Sequence, residues 1–236
     1  FKFIHNDVSG KLPEGLEADQ IYHLASPASP NEDSPKSYHS LAFETMLVNT
    51  RGTWNVCELA QKLNAKILFT STSEIYGEPL EHPQKESYRG NVSTTGPRSV
   101  YDESKRFGET IVSAFERSKD VDGRIVRIFN TYGPRMDEDD GRVVVEFITA
   151  ALENKPFPVF GDGEQTRSFC FVSDLIEGLI LAMNQENTRG EVINLGNPDE
   201  YTIKELAQKV KELGLISIWY VSFFMTIIFD ISANYF

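Results

Sequence analysis

A tyrosine and a lysine at four-residue spacing are the side chains best suited to do chemistry in this 236-residue chain. Tyr101 and Lys105 stand one helical turn apart, so both lie on one face of a helix. A phenol titrates at about pH 10, and a neighbouring ammonium favours the phenolate. The spacing therefore predicts a general base, Tyr101, whose pKa is lowered by Lys105.

Polar side chains follow two apolar runs of the sequence, at the points where predicted strands end. The stretch 70–77 reads T-S-T-S-E-I-Y-G, and the stretch 129–135 reads F-N-T-Y-G-P-R. Open parallel α/β sheets bind ligands at the carboxyl ends of their strands. We therefore expect the hydroxyl of Thr72 to bind the same substrate oxygen as Tyr101. The Tyr-x-x-x-Lys spacing alone also fits a surface helix pair, so the combination carries the prediction.

Strands and helices alternate along the first half of the sequence. Strands are predicted at 1–4, 20–25, 65–70 and 124–130, and helices at 37–63 and 99–118. This rhythm is typical of an α/β fold with a Rossmann-like, doubly wound parallel sheet. The main domain would comprise residues 1–133 and about 168–190.

Shorter elements after Gly133 predict a small substrate lobe interleaved with the main domain, at about 134–167 and 191–213. Helices are expected near 143–153 and at 203–213, strands at 157–160 and 192–195, and a strand leading into a helix at 169–183. Residues 214–236 form an apolar tail, either a buried segment or a non-native extension. Its apolar run of 215–229 is shorter than the roughly 20 residues of a spanning helix, so a membrane anchor is not expected.

Composition and charge exclude several classes of function. A net charge of −12 would repel a phosphate backbone, so no nucleic-acid partner is expected. An anionic substrate would instead be bound by a few local arginines. Cys57 and Cys170 lie in apolar stretches and are interpreted as buried thiols. The four histidines lack metal-ligand spacing, so no metal site is predicted.

Four motifs together resemble the extended short-chain dehydrogenase/reductases that act on nucleotide sugars. They occur in that family's order and spacing: H-L-A at 23–25, Thr72, Tyr101 with Lys105, and R-I-F-N-T-Y-G-P at 127–134. The resemblance extends over about Phe1 to Leu213. It implies that the Rossmann-like domain binds NAD and that the substrate is a UDP-sugar.

The triplet Thr72-Ser73-Glu74 indicates the subclass. In the 4,6-dehydratases the middle residue is an aspartate that donates a proton to the departing hydroxyl, and Ser73 is a poor acid. The triplet resembles that of the UDP-glucuronate decarboxylases. Further stretches similar to that subclass lie at 23–30, 96–106, 133–144, 165–169 and 194–198.

The resemblance implies a redox-neutral reaction that converts UDP-glucuronate to UDP-xylose. Tyr101 would deprotonate the hydroxyl on sugar carbon 4 while NAD accepts its hydride, and the resulting 4-keto acid would lose carbon dioxide. Hydride return would complete the reaction. Arg167 would guide the developing charge and protonation, and Glu74 would orient the sugar or a water. The alternatives are a 4,6-dehydratase, a 4-epimerase, or an inactive chain that acts only by dimerisation.

The resemblance also implies cofactor and substrate contacts. Asp7 would lie near the adenine, and the pyrophosphate and ribose would be lined by Leu24, Ala25 and Ser26, with Tyr101 and Lys105 completing the cofactor site. A guanidinium can bind a diphosphate bidentately, which favours Arg142. Arg135 is a weaker candidate, with an interdomain salt bridge as its alternative. The remaining substrate contacts would be Asn130, Gln165 and Arg167.

The family's glycine-rich G-x-G-x-x-G turn has no counterpart in the sequence, since Gly161-Asp-Gly163 is interpreted as an ordinary turn. We therefore expect a sheet that is incomplete at the N-terminus, in a fragment that binds NAD weakly or not at all. A second apolar patch on helix 37–63 (Phe43, Leu47 and Trp54) favours a homodimer through this helix and helix 99–118. No targeting signal is visible, which favours the cytoplasm. The alternative is the Golgi lumen, if an anchor preceded Phe1.

Overall fold

A four-stranded parallel sheet forms the centre of the computed structural model, which describes residues 1–216 and the side chains of residues 1–213. The spatial order is β1 (Gln20–His23), β2 (Lys66–Thr72), β3 (Gly123–Ile128) and β7 (Val192–Leu195). Each neighbouring pair runs parallel. The predicted α/β fold with a Rossmann-like parallel sheet is therefore confirmed.

Strand β2 is buried on both faces because helices cover the sheet from both sides. Ile67 and Phe69 pack in one apolar cluster with helix residues such as Val112, whereas Leu68 packs in a second cluster with residues such as Leu179. Successive strand residues point to opposite faces, so a continuous apolar run suits a doubly covered strand. The sequence reads K-I-L-F-T-S-T, and its last residues carry hydroxyl groups to the edge where the site lies.

The first long helix of the sequence is interrupted. Residues predicted as one helix over 37–63 form α1 (Ala42–Leu47), a π-helical turn (Val48–Gly52) and α2 (Thr53–Leu63). The π turn places Asn49 in a buried position where its amide donates to the Ser104 hydroxyl at 3.1 Å. Single π turns occur frequently at functional sites.

The other helices agree closely with the predicted ranges. They are α3 (Ser99–Lys119), α4 (Val143–Leu152), α5 (Val172–Asn184) and α6 (Ile203–Ile216). Helices α2 and α3 cover one face of the sheet and α5 covers the other. Helix α4 packs against α6, away from the four-stranded sheet.

Two small sheets complete the described chain. Strand β4 (Thr131–Tyr132) pairs parallel with β6 (Cys170–Phe171), and β5 (Thr166–Ser168) pairs antiparallel with β8 (Glu200–Thr202). The predicted strands at 1–4 and 157–160 are wrong, because neither stretch is strand in the structure. Pro156 and Pro158 flank Phe157 and remove donors that a sheet would need. Residues 1–4 are exposed and have no neighbouring strand.

Both thiols are buried and free, as predicted, and burial raises the pKa of Cys57 to about 12. Within residues 1–216 no group of three or more side chains could hold a metal ion. None of the described helices is long and apolar enough to cross a membrane. Residues 217–236, which make up most of the predicted apolar tail, lie outside the described residues.

Candidate active site

Helix α3 brings Tyr101 and Lys105 against the end of β2. Tyr101 is 8% exposed and Lys105 is 3% exposed. The Lys105 Nζ atom donates a hydrogen bond to the Thr70 carbonyl at 2.8 Å and lies 4.9 Å from the centre of the Phe69 ring. The same ammonium lies 6.0 Å from the centre of the Tyr101 ring. The two side chains therefore share one buried face, as their spacing predicts.

Thr72 is the last residue of β2 and caps the turn that follows it. Its Oγ1 accepts a hydrogen bond from the Glu74 backbone N–H at 3.2 Å, at the start of a 3-10 turn over Ser73–Tyr76. The hydroxyl also neighbours the Tyr101 phenol, where hydrogen bonding lowers the pKa of the tyrosine. The structure thus brings Thr72, Tyr101 and Lys105 together.

Burial dominates the electrostatics of this cluster. It raises the pKa of Tyr101 to about 12, opposed by hydrogen bonding from Thr72 and by the charge of Arg142. The same burial lowers the pKa of Lys105 to about 7, opposed by the charge of Glu109. The predicted lowering of the Tyr101 pKa is therefore wrong for this structure. Removing water disfavours both the phenolate and the ammonium that was expected to stabilise it.

Glu74 forms an ion pair with Arg98, a residue that the sequence did not single out. Arg98 immediately precedes α3, three residues before Tyr101 and four before Asp102, so its guanidinium lies on their side of the helix. Burial raises the pKa of Asp102 to about 6, and the charge of Arg98 opposes this. The available signal was the position of Arg98 in the G-P-R run before the helix.

Tyr38 is a second residue that the sequence did not reveal. Its ring stacks on the Tyr101 ring with centres 4.9 Å apart and planes 13° apart. Its hydroxyl is buried close to the Arg98 guanidinium but makes no hydrogen bond of normal geometry. An aromatic residue in a loop gives no sequence signal of such a contact.

The ends of β1 and β3 place other predicted residues at the same edge of the sheet. Leu24 and Ala25 are exposed directly after β1, and Ser26 is half-buried. Asn130 is half-buried two residues after β3. Arg142 immediately precedes α4, and its charge acts on the Tyr101 phenol.

Two loops are tied together beside Arg142. Its Nη2 atom donates to the Ala28 carbonyl at 3.0 Å, and its Nε atom lies 3.1 Å from Asp140 Oδ2. Three further bonds join the same loops: Ser29 Oγ to the Asp140 carbonyl at 3.1 Å, Asn31 Nδ2 to the Asp139 carbonyl at 2.8 Å, and Lys36 Nζ to Asp137 Oδ2 at 2.6 Å.

Four predicted site residues are exposed and, within the part of the chain that the structure describes, make no hydrogen bond to this cluster. Arg167 is exposed on β5 and donates to the Thr166 carbonyl at 2.8 Å, and the Gln165 amide donates to the Phe160 carbonyl at 3.0 Å. Arg135 is exposed, and Asp7 accepts from the N–H and hydroxyl of Ser9, which lower the pKa of its carboxyl. Among the hydrogen bonds of the described residues, none joins these four to Tyr101, Thr72 or Glu74.

Comparison with known proteins identifies the family of the chain. Residues 5–196 match the model of the NAD dependent epimerase/dehydratase family. The chain therefore belongs to this family, whose cofactor is NAD.

The relatives found among curated proteins carry a narrower name. The chain is 52% identical over 213 residues to UDP-glucuronic acid decarboxylase 1 of Arabidopsis thaliana, covering 90% of this chain and 47% of that protein. It is 47% identical to UDP-glucuronic acid decarboxylase 1 of Xenopus tropicalis, covering 90% of this chain and 48% of that protein. The chain thus spans about half the length of these relatives.

Solved structures share the fold at lower identity. UDP-glucuronic acid 4-epimerase from Bacillus cereus, in complex with NAD, superposes with a TM-score of 0.68 at 27% identity, covering 83% of this chain and 59% of the epimerase. UDP-glucose 4-epimerase from Thermotoga maritima gives a TM-score of 0.73 at 27% identity, covering 83% of this chain and 61% of the epimerase.

Proposed function

We propose that the protein converts UDP-glucuronate to UDP-xylose and carbon dioxide with NAD as its cofactor. The observation that carries this proposal is the cluster of Tyr101, Lys105 and Thr72 at the carboxyl end of a parallel sheet, followed directly by Ser73 and Glu74. The names of the curated relatives support the decarboxylase over the 4,6-dehydratase or 4-epimerase. Ser73 in place of an acidic residue argues in the same direction against dehydration.

The donors at the strand ends fit a dinucleotide. Lys105 carries three N–H donors, and the Thr70 carbonyl accepts only one of them. The others, together with the Tyr101 hydroxyl, are suited to the adjacent hydroxyls of a ribose. The segment of Leu24, Ala25 and Ser26, directly after β1 and exposed or half-buried, would hold the rest of the cofactor. When bound, NAD supplies a reversible hydride acceptor.

The chain's own residues would act on the sugar as acids, bases and anchors. Tyr101 receives the proton of the carbon-4 hydroxyl and later returns it, while Thr72 holds the same oxygen in place. Glu74 orients the sugar or a water from the turn after β2. Arg142 binds the diphosphate and Asn130 the sugar or nucleotide, because both lie at this edge of the sheet.

The small antiparallel sheet would supply the remaining contacts. Helix α6 packs on both α4 and β8, so these elements with β5 form one unit that we assign as the substrate lobe. Arg167 and Gln165 belong to this unit, and their side chains donate only to backbone carbonyls of their own segment. We propose that they reach the sugar carboxylate when the lobe closes over the substrate.

The reaction is tested by incubating the purified protein with NAD and UDP-glucuronate. We expect release of carbon dioxide and appearance of UDP-xylose, with product formation reduced about 10²-fold to 10⁴-fold in Tyr101→Phe, the contribution of a positioned acid–base group. Formation of the 4-epimer without carbon dioxide would contradict the proposal and indicate an epimerase.

A chimera tests the same residues within a protein that has the full length of a curated relative. The matching stretch of the Arabidopsis decarboxylase is replaced by this chain's residues, and the same assay is applied. UDP-xylose formation, lost again in Tyr101→Phe, would support the assignment. A folded chimera that binds NAD and forms no UDP-xylose would refute it.

We also propose that two copies associate through α1, α2 and α3. Phe43 is 74% exposed on α1 and Phe107 is 55% exposed on α3, and these helices pack side by side. Leu47 on α1 and Trp54 on α2 are each about half exposed. Large apolar side chains that remain accessible on adjacent helices are typical of an interface, and the occupant here is a second copy.

Light scattering of the eluting protein tests this association. We expect a dimer for the unchanged chain and a monomer for Phe43→Asp and Phe107→Asp, because a charge at the centre of an apolar interface is costly. Leu80→Asp is the matched control, since Leu80 is 82% exposed in a loop outside these helices. A monomer in the unchanged chain would refute the proposed dimer.

A further inference from the structure

We propose that Glu109 is a positioning residue of the active site that anchors the end of β2 and serves as the counter-ion of Lys105. The inference rests on the proposed function for its catalytic meaning. It gives the Glu109 carboxylate a role in addition to its ion pair with Arg127.

The Glu109 carboxylate is held from two strands. Ser71 Oγ of β2 donates to Oε1 at 2.5 Å. Arg127 of β3 donates from Nε to Oε1 at 2.9 Å and from Nη2 to Oε2 at 2.8 Å. Both members of the ion pair are about nine-tenths buried. A buried ion pair contributes little net stability compared with an apolar pair, so stability alone does not account for it.

The bond to Ser71 fixes the two residues on either side of it. Thr70 presents the carbonyl that accepts from Lys105, and Thr72 presents the hydroxyl that acts on the Tyr101 phenol. Adjacent strand residues cannot shift independently, so Glu109 sets the position of both groups. A misplacement of about 1 Å in such groups can reduce the rate about 100-fold.

Arg127 is itself braced, which keeps Glu109 from turning toward Lys105. Its Nη1 atom donates to the Tyr76 hydroxyl at 2.8 Å and to the Glu86 carbonyl at 2.9 Å. The Tyr76 hydroxyl in turn donates to Asn194 Oδ1 of β7 at 2.7 Å. Glu109 therefore acts on Lys105 through space, one helical turn away on α3.

The surroundings of Lys105 contain few other charges. His23 of β1 is buried nearby, and burial together with the charge of Lys105 lowers its pKa to about 4, so its ring is neutral near pH 7. Tyr101 on α3 is neutral as well, because burial raises its pKa to about 12. On β3, Arg127 is cationic and its charge is balanced by Glu109. Glu109 is the carboxylate whose charge favours the protonated form of Lys105.

The test compares Glu109→Gln with Glu116→Gln. Glu116 lies two turns further along α3 and pairs with Arg189 at the surface, so its replacement removes the same charge from a position away from Lys105. The first readout is the pH profile of UDP-xylose formation. We expect the alkaline limb of kcat to move down by about one pH unit in Glu109→Gln, because Lys105 loses its proton earlier. The limb stays in place in Glu116→Gln. An unmoved limb in Glu109→Gln would overturn the counter-ion role even if kcat fell.

Two further variants separate the anchor from the charge. Ser71→Ala removes the strand contact, and Glu109→Asp keeps the negative charge. Both are expected to lower kcat without moving the alkaline limb. They also keep the proposal testable if Glu109→Gln does not fold. A shifted limb in Ser71→Ala, or unchanged kcat in both variants, would count against the proposal.

Thermal unfolding without ligands provides an assay that does not depend on turnover. The unfolded chain protonates Lys105 at about pH 10.5 and the folded chain at about 7, so stability decreases as pH falls between these values. In Glu109→Gln this decrease should continue to lower pH than in Glu116→Gln. If the unchanged protein forms no UDP-xylose, the proposed function fails, and this measurement still decides whether Glu109 acts on Lys105.

Discussion

The ring of Tyr101 stacks on the ring of Tyr38 and lies 6.0 Å from the ammonium of Lys105, and all three side chains are largely removed from water. At neutral pH the phenol keeps its proton because burial raises its pKa to about 12. Proton transfer from a substrate hydroxyl therefore requires a change in the cluster when ligands bind. A cationic nicotinamide ring close to the phenol would favour the phenolate in this way.

The pair of Arg98 and Glu74 leads to a prediction at the same scale. Replacing Arg98 by Met leaves Glu74 without its partner and increases repulsion between Glu74 and Asp102. We expect kcat for UDP-xylose formation to fall about 10-fold to 100-fold, the range of a hydrogen bond to a charged group. The pKa of Asp102 should rise further above its usual value, which an NMR titration of that carboxyl would measure.

Two controls accompany Arg98→Met: one keeps the charge at position 98, and the other removes a charge elsewhere on α3. Arg98→Lys keeps a cation beside Glu74 and should retain more activity than Arg98→Met. Arg117→Met removes an exposed cation from the far end of α3 and should leave the pKa of Asp102 unchanged. Equal activity in Arg98→Met and the unchanged protein would show that Glu74 needs no partner.

Local spacing explains which site residues the sequence could predict. Tyr101 and Lys105 share a helix face, and Thr72 ends a buried strand, so their positions follow from periodicity. Arg98 and Tyr38 depend on how a loop folds over α3, which no local pattern encodes. The Tyr101 pKa was predicted in the wrong direction because burial is a property of the packed structure.

Among the elements, α3 and β2 approach each other closely at Gly108. A Cβ atom there would lie 2.5 Å from Phe69 Cζ and 2.9 Å from the Asn49 carbonyl oxygen. We expect Gly108→Ala to lower the free energy of unfolding by about 1–3 kcal/mol, the usual cost of overpacking. Denaturant unfolding measures this, with Ser118→Ala on the exposed end of α3 as the control. A stabilised Gly108→Ala would show that the two elements can separate without cost.

Hydrophobic periodicity predicted the helices well and the irregular turns poorly. In the first long helix, Asn49, Thr53, Val56 and Ala60 recur at steps of three and four, and all four are buried. The π turn was not predicted, because one extra residue in a turn hardly changes the apolar pattern. The short strands β5 and β8 were missed since their residues are largely exposed and lack alternation.

For the whole molecule, the buried histidine makes stability depend on pH. The unfolded chain protonates His23 at about pH 6.5 and the folded chain at about 4, so its contribution is complete above pH 6.5 and is lost as pH falls toward 4. Asp102 acts in the opposite sense, because its folded pKa of about 6 exceeds the unfolded value of 3.8. The two contributions partly cancel in the unchanged protein.

Substitution of His23 measures its contribution to the pH dependence of stability. His23→Gln can keep a hydrogen bond to the Thr53 hydroxyl, which lies 3.0 Å from the His23 ring nitrogen. We expect its melting temperature to fall less steeply from pH 6.5 to 4 than that of the unchanged protein. His5→Gln, at an exposed position, should follow the unchanged curve. Identical slopes for His23→Gln and the unchanged protein would mean that His23 does not titrate differently on unfolding.

The strand order also determines how long β3 waits during synthesis for its partner strand β7. The 63 residues 129–191 separate β3 from β7, the strand that pairs with it. At the usual 5–20 residues per second, a ribosome needs about 3 to 13 s to make them. During that interval the nascent chain already contains Tyr101, Lys105 and Thr72, while β3 still lacks its second neighbour. Chaperones that bind unpaired strands would find their target in this window.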